Sequence, residues 1–159
     1  MLNVNCHMYH KKKGFTLVEF LVALGILLFL GISAVLLLKN QSLGNLESDA
    51  EAIASRLSEA QSRAIAGVEN RQWGIHFENT ANPFYALFNG PSYSAASTTY
   101  YLSAFVEFQS PASGTSTDII FTKLSGTISA ATSVIIRLKS NTTQTKTVTV
   151  SSQGKTTVE

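Results

Sequence analysis

The chain has 159 residues, of which 45% are apolar and 14% are charged, and its formal net charge is +2. This composition leaves room for one globular domain of roughly 110 residues with a core of its own, beside one apolar segment. The small net charge excludes a strong overall basic bias.

The apolar segment lies near the start of the chain. Residues 15–38 contain no lysine, arginine, aspartate or proline, and a helix of that length would span about 36 Å, enough to cross a hydrocarbon core of about 30 Å. Three lysines precede the segment, Lys11, Lys12 and Lys13, whereas only Lys39 follows it closely. The positive-inside rule therefore predicts a single-pass membrane helix with a cytoplasmic N-terminus and an exported C-terminal domain.

Glu19 is the one acidic residue in this segment. A charged residue at the centre of a membrane helix costs roughly 2.5–3.5 kcal/mol, and less near a helix end. One interpretation is a carboxylate that reaches the cytoplasmic interface, and the other is a carboxylate that pairs with a cation from another chain. A free amine on Phe15, created by a cut after Gly14, would be such a cation.

The stretch Gly14-Phe15-Thr16-Leu17-Val18-Glu19, after a lysine-rich leader, resembles the class III signal of type IV prepilins and type II secretion pseudopilins. In that family the prepilin peptidase cuts after the glycine and methylates the new N-terminal residue. The resemblance implies that residues 1–14 are a leader that is removed and that Phe15 becomes the methylated N-terminus. It also implies that Glu19 pairs with a neighbouring subunit's amine during assembly. Many pilins have a proline midway along this helix, and none occurs here.

Removal of the leader would change two simple counts. Three of the 12 lysine and arginine residues lie in the leader, so nine basic and ten acidic residues would give the mature chain a charge of −1. The only cysteine, Cys6, would also be lost. The resemblance therefore excludes disulfides and thiol chemistry in the mature chain.

From residue 43 the apolar pattern becomes amphipathic. Apolar residues recur at alternating steps of three and four, as on one face of a helix: Leu43, Leu46, Ala50, Ile53, Leu57, Ala60 and Ala64. Glu59 and Arg63 lie off this stripe as a favourable i,i+4 pair, and Gly67 is a helix-stop signal. No strong breaker separates the two segments. The sequence therefore predicts one helix over 15–66, with residues 15–38 in lipid and residues 39–66 packed on a domain.

After Gly67 the apolar period changes to two, which is typical of strands. Trp73, Ile75 and Phe77 alternate with smaller or polar residues, and further strands are predicted at 84–88, 105–109, 119–124, 134–139, 145–151 and, weakly, 156–159. In the strand 134–139, the residues predicted to share one face are Val134, Ile136 and Leu138. Residues 91–103 are rich in serine, threonine, alanine and tyrosine and are predicted to form an exposed loop.

The predicted fold class is α+β, with one long N-terminal helix packed on an antiparallel β-sheet domain of residues 67–159. This arrangement is pilin-like. The domain is similar to GspH/FimT-type minor pseudopilins in residues 50–66, in Trp73-Gly74-Ile75, in Asp118-Ile119-Ile120-Phe121 followed by Gly126-Thr127-Ile128, and in a late Gly154. Thr127 occupies the place of the family's usual basic residue, which weakens any ligand role inferred from relatives.

Chemistry of an enzymatic kind is missing from the sequence. It has no Gly-rich phosphate loop, no HExxH and no GxSxG. His76, the one histidine outside the leader, is expected on the polar face of its strand as a solvated or hydrogen-bonded residue. The acids Asp118, Glu107 and Glu78 are scattered along the sequence and give no case for a catalytic pair. We therefore expect no enzymatic activity, no cofactor and no metal site.

A nucleic-acid partner is a less favoured alternative. From residue 119 onward the chain has one acid and five basic residues, Lys123, Arg137, Lys139, Lys146 and Lys155. A basic face of this kind could contact phosphates, with Lys123, Arg137 and Lys139 as the candidates. Spread charges of this sort are more often a solvated β-surface.

The sequence therefore favours a minor pseudopilin of a type II secretion system, in the bacterial inner membrane with a periplasmic C-terminal domain. Expected partners are the prepilin peptidase, other pseudopilins or pilins of a filament, the inner-membrane assembly platform and secreted cargo. A second hypothesis is a minor pilin of a type IV or competence pilus that contacts DNA. A third is a membrane-tethered domain of unrelated function with an uncut N-terminus. The motif around Phe15 serves both filament machines and does not separate them.

Overall fold

The structure is a computed structural model that describes residues 16–159, with only the backbone described for residues 32–42. Helix α1 occupies Leu17–Ile65, and a 3₁₀ turn follows at Val68–Asn70. Eight strands come next: β1 Trp73–Asn79, β2 Phe84–Asn89, β3 Thr98–Tyr101, β4 Val106–Ser110, β5 Thr115–Phe121, β6 Thr132–Leu138, β7 Thr145–Val150 and β8 Thr156–Val158.

The described chain divides into two units, the first ending at residue 39 and the second covering residues 40–159. In the first unit the described residues form the start of α1. The hydroxyl oxygen of Thr16 accepts a hydrogen bond from the backbone N–H of Glu19 at 3.3 Å, and the Thr16 carbonyl accepts one from Phe20 at 3.1 Å. Both bonds are typical of an N-cap residue. The helix predicted over 15–66 is confirmed over Leu17–Ile65, and residue 15 lies outside the described residues.

The second unit folds its eight strands into two four-stranded sheets. Sheet A has the strand order β3-β2-β1-β5, and sheet B has the order β4-β6-β7-β8. All neighbouring strands are antiparallel. The α+β class is therefore confirmed, whereas the division of the strands into two sheets is not predicted by the sequence.

Side chains of α1 and of both sheets form one buried cluster in the second unit. Six of the seven stripe residues predicted on α1 are at most 3% exposed: Leu46, Ala50, Ile53, Leu57, Ala60 and Ala64. Leu43 is the exception at 38%. The three residues predicted to share one face of β6 are buried in the same cluster. Because each fully buried leucine or isoleucine stabilises a fold by about 1.5–3 kcal/mol, the stripe is the main attachment of the helix to the sheets.

The C-terminal end of α1 is fixed by contacts with the turn after β5. Gly67 adopts a φ of +63°, the left-handed conformation that ends helices, so the predicted stop is confirmed. The carbonyl of Ala64 accepts hydrogen bonds from the N–H groups of Gly67 at 3.1 Å and Leu124 at 2.9 Å. The side-chain amide of Gln61 donates to the carbonyl of Gly126 at 3.1 Å. The last turn of the helix is thereby joined to the connection between β5 and β6.

One loop prediction and the bounds of one strand prediction are wrong. Residues 91–103, predicted as an exposed loop, contain β3, which pairs with β2. Most of its residues are exposed, which removes the apolar alternation that identifies a strand in a sequence. Strand β5 begins at Thr115 instead of residue 119, because its polar first half pairs with the end of β1. It ends at Phe121, since Leu124 lies in a turn with a φ of +68°.

Gly154 provides a test of the packing around the end of α1. It has a φ of +85°, and a Cβ at this position would lie 2.1 Å from the carbonyl oxygen of Gly126 and 2.2 Å from the side-chain nitrogen of Gln61. Because the backbone atom cannot move aside easily, we expect Gly154→Ala to lower the free energy of unfolding by about 2–4 kcal/mol. Urea denaturation of the detergent-solubilised protein measures this change.

Gly114 is the matched control for this substitution. Its φ of +79° is similar, but no atom lies within 4 Å of a Cβ placed there. Gly114→Ala introduces the backbone strain without the collision, so we expect it to cost about 1–2 kcal/mol. Equal losses of stability in the two variants would contradict the packing described for Gly154.

Candidate functional site

The described start of α1 is almost entirely apolar, and it is exposed. Every side chain from Thr16 to Gly31 is exposed, and the large apolar ones have exposed fractions between 45% at Leu24 and 77% at Leu17. Soluble monomers rarely leave a contiguous apolar surface of this extent uncovered. This stretch is therefore a candidate contact surface for lipid or for other protein chains.

Among the described residues, no helix is both long enough and apolar enough to cross a bilayer. The membrane helix predicted over 15–38 includes residue 15 and the side chains of residues 32–38, which lie outside the description.

Glu19 is the only charged residue between Thr16 and Gly31. Its side chain is exposed in the first turn of α1, where the helix dipole favours a negative charge. The other residues predicted for processing and assembly lie outside the described residues: Lys11, Lys12, Lys13, Gly14 and Phe15. Pairing of Glu19 with the amine of Phe15 in another subunit therefore stays a prediction.

A row of charged and aromatic side chains fastens α1 to sheet A. Glu59 accepts hydrogen bonds from Arg56 at 2.8 Å and from Arg63 at 2.6 Å, so the predicted Glu59–Arg63 pair is confirmed. The guanidinium of Arg56 lies 4.5 Å from the ring centroid of Tyr100, and that of Arg63 lies 4.7 Å from the ring centroid of Trp73. The hydrogen bond from Arg56 lowers the pKa of the Glu59 carboxyl group. We call these five residues the charge–aromatic row.

Asp49 makes a second attachment between α1 and the segment after β3. Its two carboxylate oxygens accept hydrogen bonds from Ser103, one from the backbone N–H at 2.9 Å and one from the hydroxyl group at 3.0 Å. Burial, with a smaller contribution from the charge of Asp49, raises the pKa of Tyr85 to about 12. Together with the charge–aromatic row, the contact between Asp49 and Ser103 sets the position of the helix over sheet A.

The three basic residues proposed for nucleic-acid contact all make hydrogen bonds within the domain. Arg137 donates to the carboxylate of Glu107 at 2.7 Å, so the charge of Arg137 is matched locally. Lys139 donates to the carbonyl of Ala104 at 2.9 Å, and Lys123 donates to the side chain of Asn70. None of these contacts brings Lys123 together with the other two residues, and a phosphate-binding role for the three stays a prediction.

His76 lies in a different environment from the one predicted. It is only 5% exposed, so the expectation of a solvated residue is wrong, whereas its hydrogen bonding is confirmed. Its ring nitrogens contact the carboxylates of Asp118 at 2.6 Å and Glu78 at 3.0 Å. The register of β1 and β5 puts His76 opposite Asp118. Two of the acids that are scattered in the sequence therefore meet at one histidine, while Glu107 pairs with Arg137 instead.

This histidine cluster does not have the arrangement of a metal site. The described residues contain no group of three histidine, cysteine or carboxylate side chains that could hold a metal ion. Each carboxylate approaches a different ring nitrogen of His76, so the ring separates the two acids. The cluster thus joins strands instead of presenting converging ligands.

Comparison with known proteins bears on the N-terminal motif and on the fold. Residues 9–35 match the family model of the prokaryotic N-terminal methylation motif. The fold is similar to crystal structures of the type IV minor pilin FimU from Pseudomonas aeruginosa (strain PAO1) in two crystal forms. One has a TM-score of 0.54, covering 73% of this chain and 89% of that one, and the other has a TM-score of 0.51, covering 72% and 92%. The chain has a class III signal motif and a pilin-like fold.

The likeness of this pilin-like chain to FimU concerns the fold, because both alignments have 18% sequence identity. The methylation motif covers Gly14, Phe15 and Glu19, the residues predicted from the sequence for processing and assembly. No curated protein sequence matches the chain significantly.

Replacement of Glu59 tests the charge–aromatic row. Its folded-state pKa lies below the ordinary value of 4.5, so the ionised carboxylate stabilises the fold at higher pH and this contribution is lost as the pH falls through the folded-state pKa. We expect Glu59→Gln to lower the free energy of unfolding at pH 7 by about 1 kcal/mol. The difference from wild type should shrink in urea titrations below that ordinary value.

Glu51→Gln is the control for this pH dependence. Glu51 is exposed on the same helix and makes no ion pair with a described residue. Its substitution should change stability by less than about 0.5 kcal/mol at either pH. A loss in Glu59→Gln that is the same at pH 7 and at acid pH would show that the charge of Glu59 is not what matters.

Proposed function

We propose that this pilin-like chain is a minor subunit of a filament of the type IV pilin class and acts by assembly, not by catalysis. The observation that carries the proposal is the exposed apolar start of α1, with one acid, inside a prepilin methylation motif. In this proposal the protein crosses the bacterial inner membrane once, with residues 1–14 in the cytoplasm and its domain outside. The prepilin peptidase cuts between Gly14 and Phe15 and methylates Phe15.

The assembly step follows from the chemistry of an apolar helix. Before assembly lipid covers the side chains of residues 17–31, and afterwards the same surface packs on neighbouring subunits. Because lipid tails are as apolar as leucine, this exchange gives little hydrophobic driving force, and close packing and polar contacts decide the outcome. A single acid in the apolar stretch therefore has a large influence on how subunits align.

Glu19 supplies that polar contact in our proposal. Its carboxylate pairs with the N-terminal amine of a neighbouring Phe15, in surroundings where charges attract more strongly than in water. A subunit that is out of register leaves a charge buried and unpaired, which costs about 3–5 kcal/mol. The pair thus favours the one alignment in which each carboxylate meets an amine.

The β-domain supplies the contacts that distinguish a minor subunit from others. Residues 39–66 couple the apolar stretch to the domain, because their buried stripe and the charge–aromatic row attach α1 to the sheets. Residues 67–159 then contact other subunits, the assembly platform or secreted cargo. A structural role of this kind needs no catalytic group and no cofactor.

Two filament machines remain as candidates for this subunit. A type IV pilus is supported by the likeness of the fold to the minor pilin FimU. A type II secretion pseudopilus is supported by the sequence resemblance to GspH/FimT-type pseudopilins. The fold likeness does not rank one machine above the other, because both alignments have 18% sequence identity and the signal motif serves both machines.

Substitution of Glu19 tests the assembly step. Glu19→Ala should leave membrane insertion and leader cleavage unchanged, since neither needs the carboxylate in our proposal. Incorporation into filaments should fall by about 100-fold, because each neighbour's amine is left buried without a partner. Immunoblots of the membrane and sheared-filament fractions measure both quantities.

Glu47→Ala is the matched control. Glu47 is another acid on α1, 64% exposed in its side chain and 3.7 Å from Lys146, and it lies outside the apolar stretch. Incorporation of this variant should stay at the wild-type level. Normal incorporation of Glu19→Ala would overturn the role assigned to Glu19.

Deletion of the gene distinguishes the two machines. Loss of surface pili and twitching with normal exoprotein secretion would support the pilus, and exoproteins retained in the periplasm with normal piliation would support the pseudopilus. A complemented strain and a strain with the Glu19→Ala allele serve as controls. Normal piliation and normal secretion in the deletion strain would contradict both assignments.

A further inference from the structure

The face of sheet A that points away from α1 carries a small buried cluster of its own. Phe88 on β2 is fully buried but is not part of the main core cluster. Its ring lies over Gly74, where an added Cβ would be 3.0 Å from the ring and 2.6 Å from the carbonyl oxygen of Ile119. A buried phenylalanine outside the core needs a cover on this outer face.

The cover is the segment between β2 and β3, residues 90–97, which we call the strap. Tyr93 stacks on His76 with 3.8 Å between ring centroids and 7° between ring planes, and it meets Phe88 edge-on at 5.6 Å. Both ends of the strap are tied to backbone. The N–H of Gly90 donates to the carbonyl of Gln72 at 2.8 Å, and that of Ser97 donates to the carbonyl of Leu87 at 2.7 Å.

Between those ends, the strap is tied through the carboxylate of Asp118. One oxygen of Asp118 lies 2.6 Å from Nδ1 of His76, and the other accepts a hydrogen bond from the backbone N–H of Tyr93 at 3.3 Å. The second ring nitrogen, Nε2, lies 3.0 Å from Glu78. Both ring nitrogens therefore face carboxylate oxygens, and only the protonated imidazolium has two N–H groups to donate.

We propose that the strap is a pH-sensitive cover, closed over the outer face of sheet A when His76 is protonated and loosened when the proton leaves. In the neutral ring one nitrogen has a lone pair that faces a carboxylate, and the ring no longer balances the charges of Asp118 and Glu78, whose side chains are 30% and 26% exposed. Loss of the proton weakens the contact between His76 and Asp118. Asp118 is then held less firmly, and so is the Tyr93 amide that donates to it. The stack on the Tyr93 ring also loses its cationic partner.

The groups that face His76 fix the direction of the effect. Asp118 comes from β5, Glu78 from β1 and Tyr93 from the strap, while β2 contributes the uncharged ring of Phe84 at 5.9 Å. The closed state requires ionised carboxylates and a protonated ring. It is lost when the proton leaves His76. Opening exposes Phe88, so the strap controls access to an aromatic surface.

Amide hydrogen exchange by NMR on the full-length, isotope-labelled protein in detergent micelles tests this inference. After correction for the intrinsic pH dependence of exchange, protection of the Tyr93 amide should fall about tenfold or more as His76 loses its proton, the change that loss of one charge-assisted hydrogen bond produces. The amides of Gly90 and Ser97 should keep their protection, because they are bonded to backbone carbonyls. The nitrogen shifts of the His76 ring should change with the same midpoint.

His76→Gln is the variant that removes the titration, and Glu107→Gln is its control, because Glu107 pairs with Arg137 in sheet B. In His76→Gln, protection at Tyr93 should be low and independent of pH, while Glu107→Gln should behave as wild type. Amides of β6 and β7 report whether each variant is folded. If His76→Gln is unfolded, the wild-type protein alone decides the test. The protection of its Tyr93 amide and the nitrogen shifts of its His76 ring should then change with the same midpoint. The proposal is overturned if protection of the Tyr93 amide stays constant while the nitrogen shifts of the His76 ring change.

Discussion

Side chains from both sheets of the domain meet on a single face of α1, the stripe from Leu46 to Ala64. Neither sheet can bury its inner face without such a partner, so the burial of this stripe is the constraint that sets the other contacts of the domain. The charge–aromatic row, the hydrogen bonds from Ser103 to Asp49 and the hydrogen bond from Gln61 to Gly126 all involve side chains of α1. Each is individually weak, and together they fix the position of the helix on the surface that the stripe has already buried.

The same helix shows two opposite relations to its surroundings. The described side chains of residues 17–31 are exposed although they are almost all apolar, whereas the stripe further along is dry. Within one chain, the first surface is exposed and available to lipid or to other subunits, and the second is buried in the core of the domain. This contrast is the physical basis for a subunit that is anchored before assembly and packed after it. The outer face of sheet A adds a third kind of surface, closed by the strap.

Much of the fold could be predicted from local sequence patterns. The stripe on α1, the stop at Gly67 and the alternation in β6 depend on spacing along the chain, and each is confirmed.

Strand β3 could not be found in this way, because its side chains are exposed and its existence depends on pairing with β2. The meeting of His76 and Asp118, 42 residues apart, depends on the register of β1 and β5. Glu78 could have been placed beside His76 from the sequence, since it lies two residues further on the same strand face. The processing residues Gly14 and Phe15 follow only from a family resemblance, and the methylation motif covers them.

Mass spectrometry of the N-terminus, on protein isolated from its native membrane, tests the assembly role of Glu19 before any other measurement. We expect a chain that begins at Phe15, because the assembly role of Glu19 needs that amine in a neighbouring subunit, and one methyl group on the amine, because residues 9–35 match the methylation motif. A protein that still begins at Met1, or that retains Lys11 to Lys13, would contradict the assembly role of Glu19 and would leave the exposed apolar stretch as a simple membrane anchor.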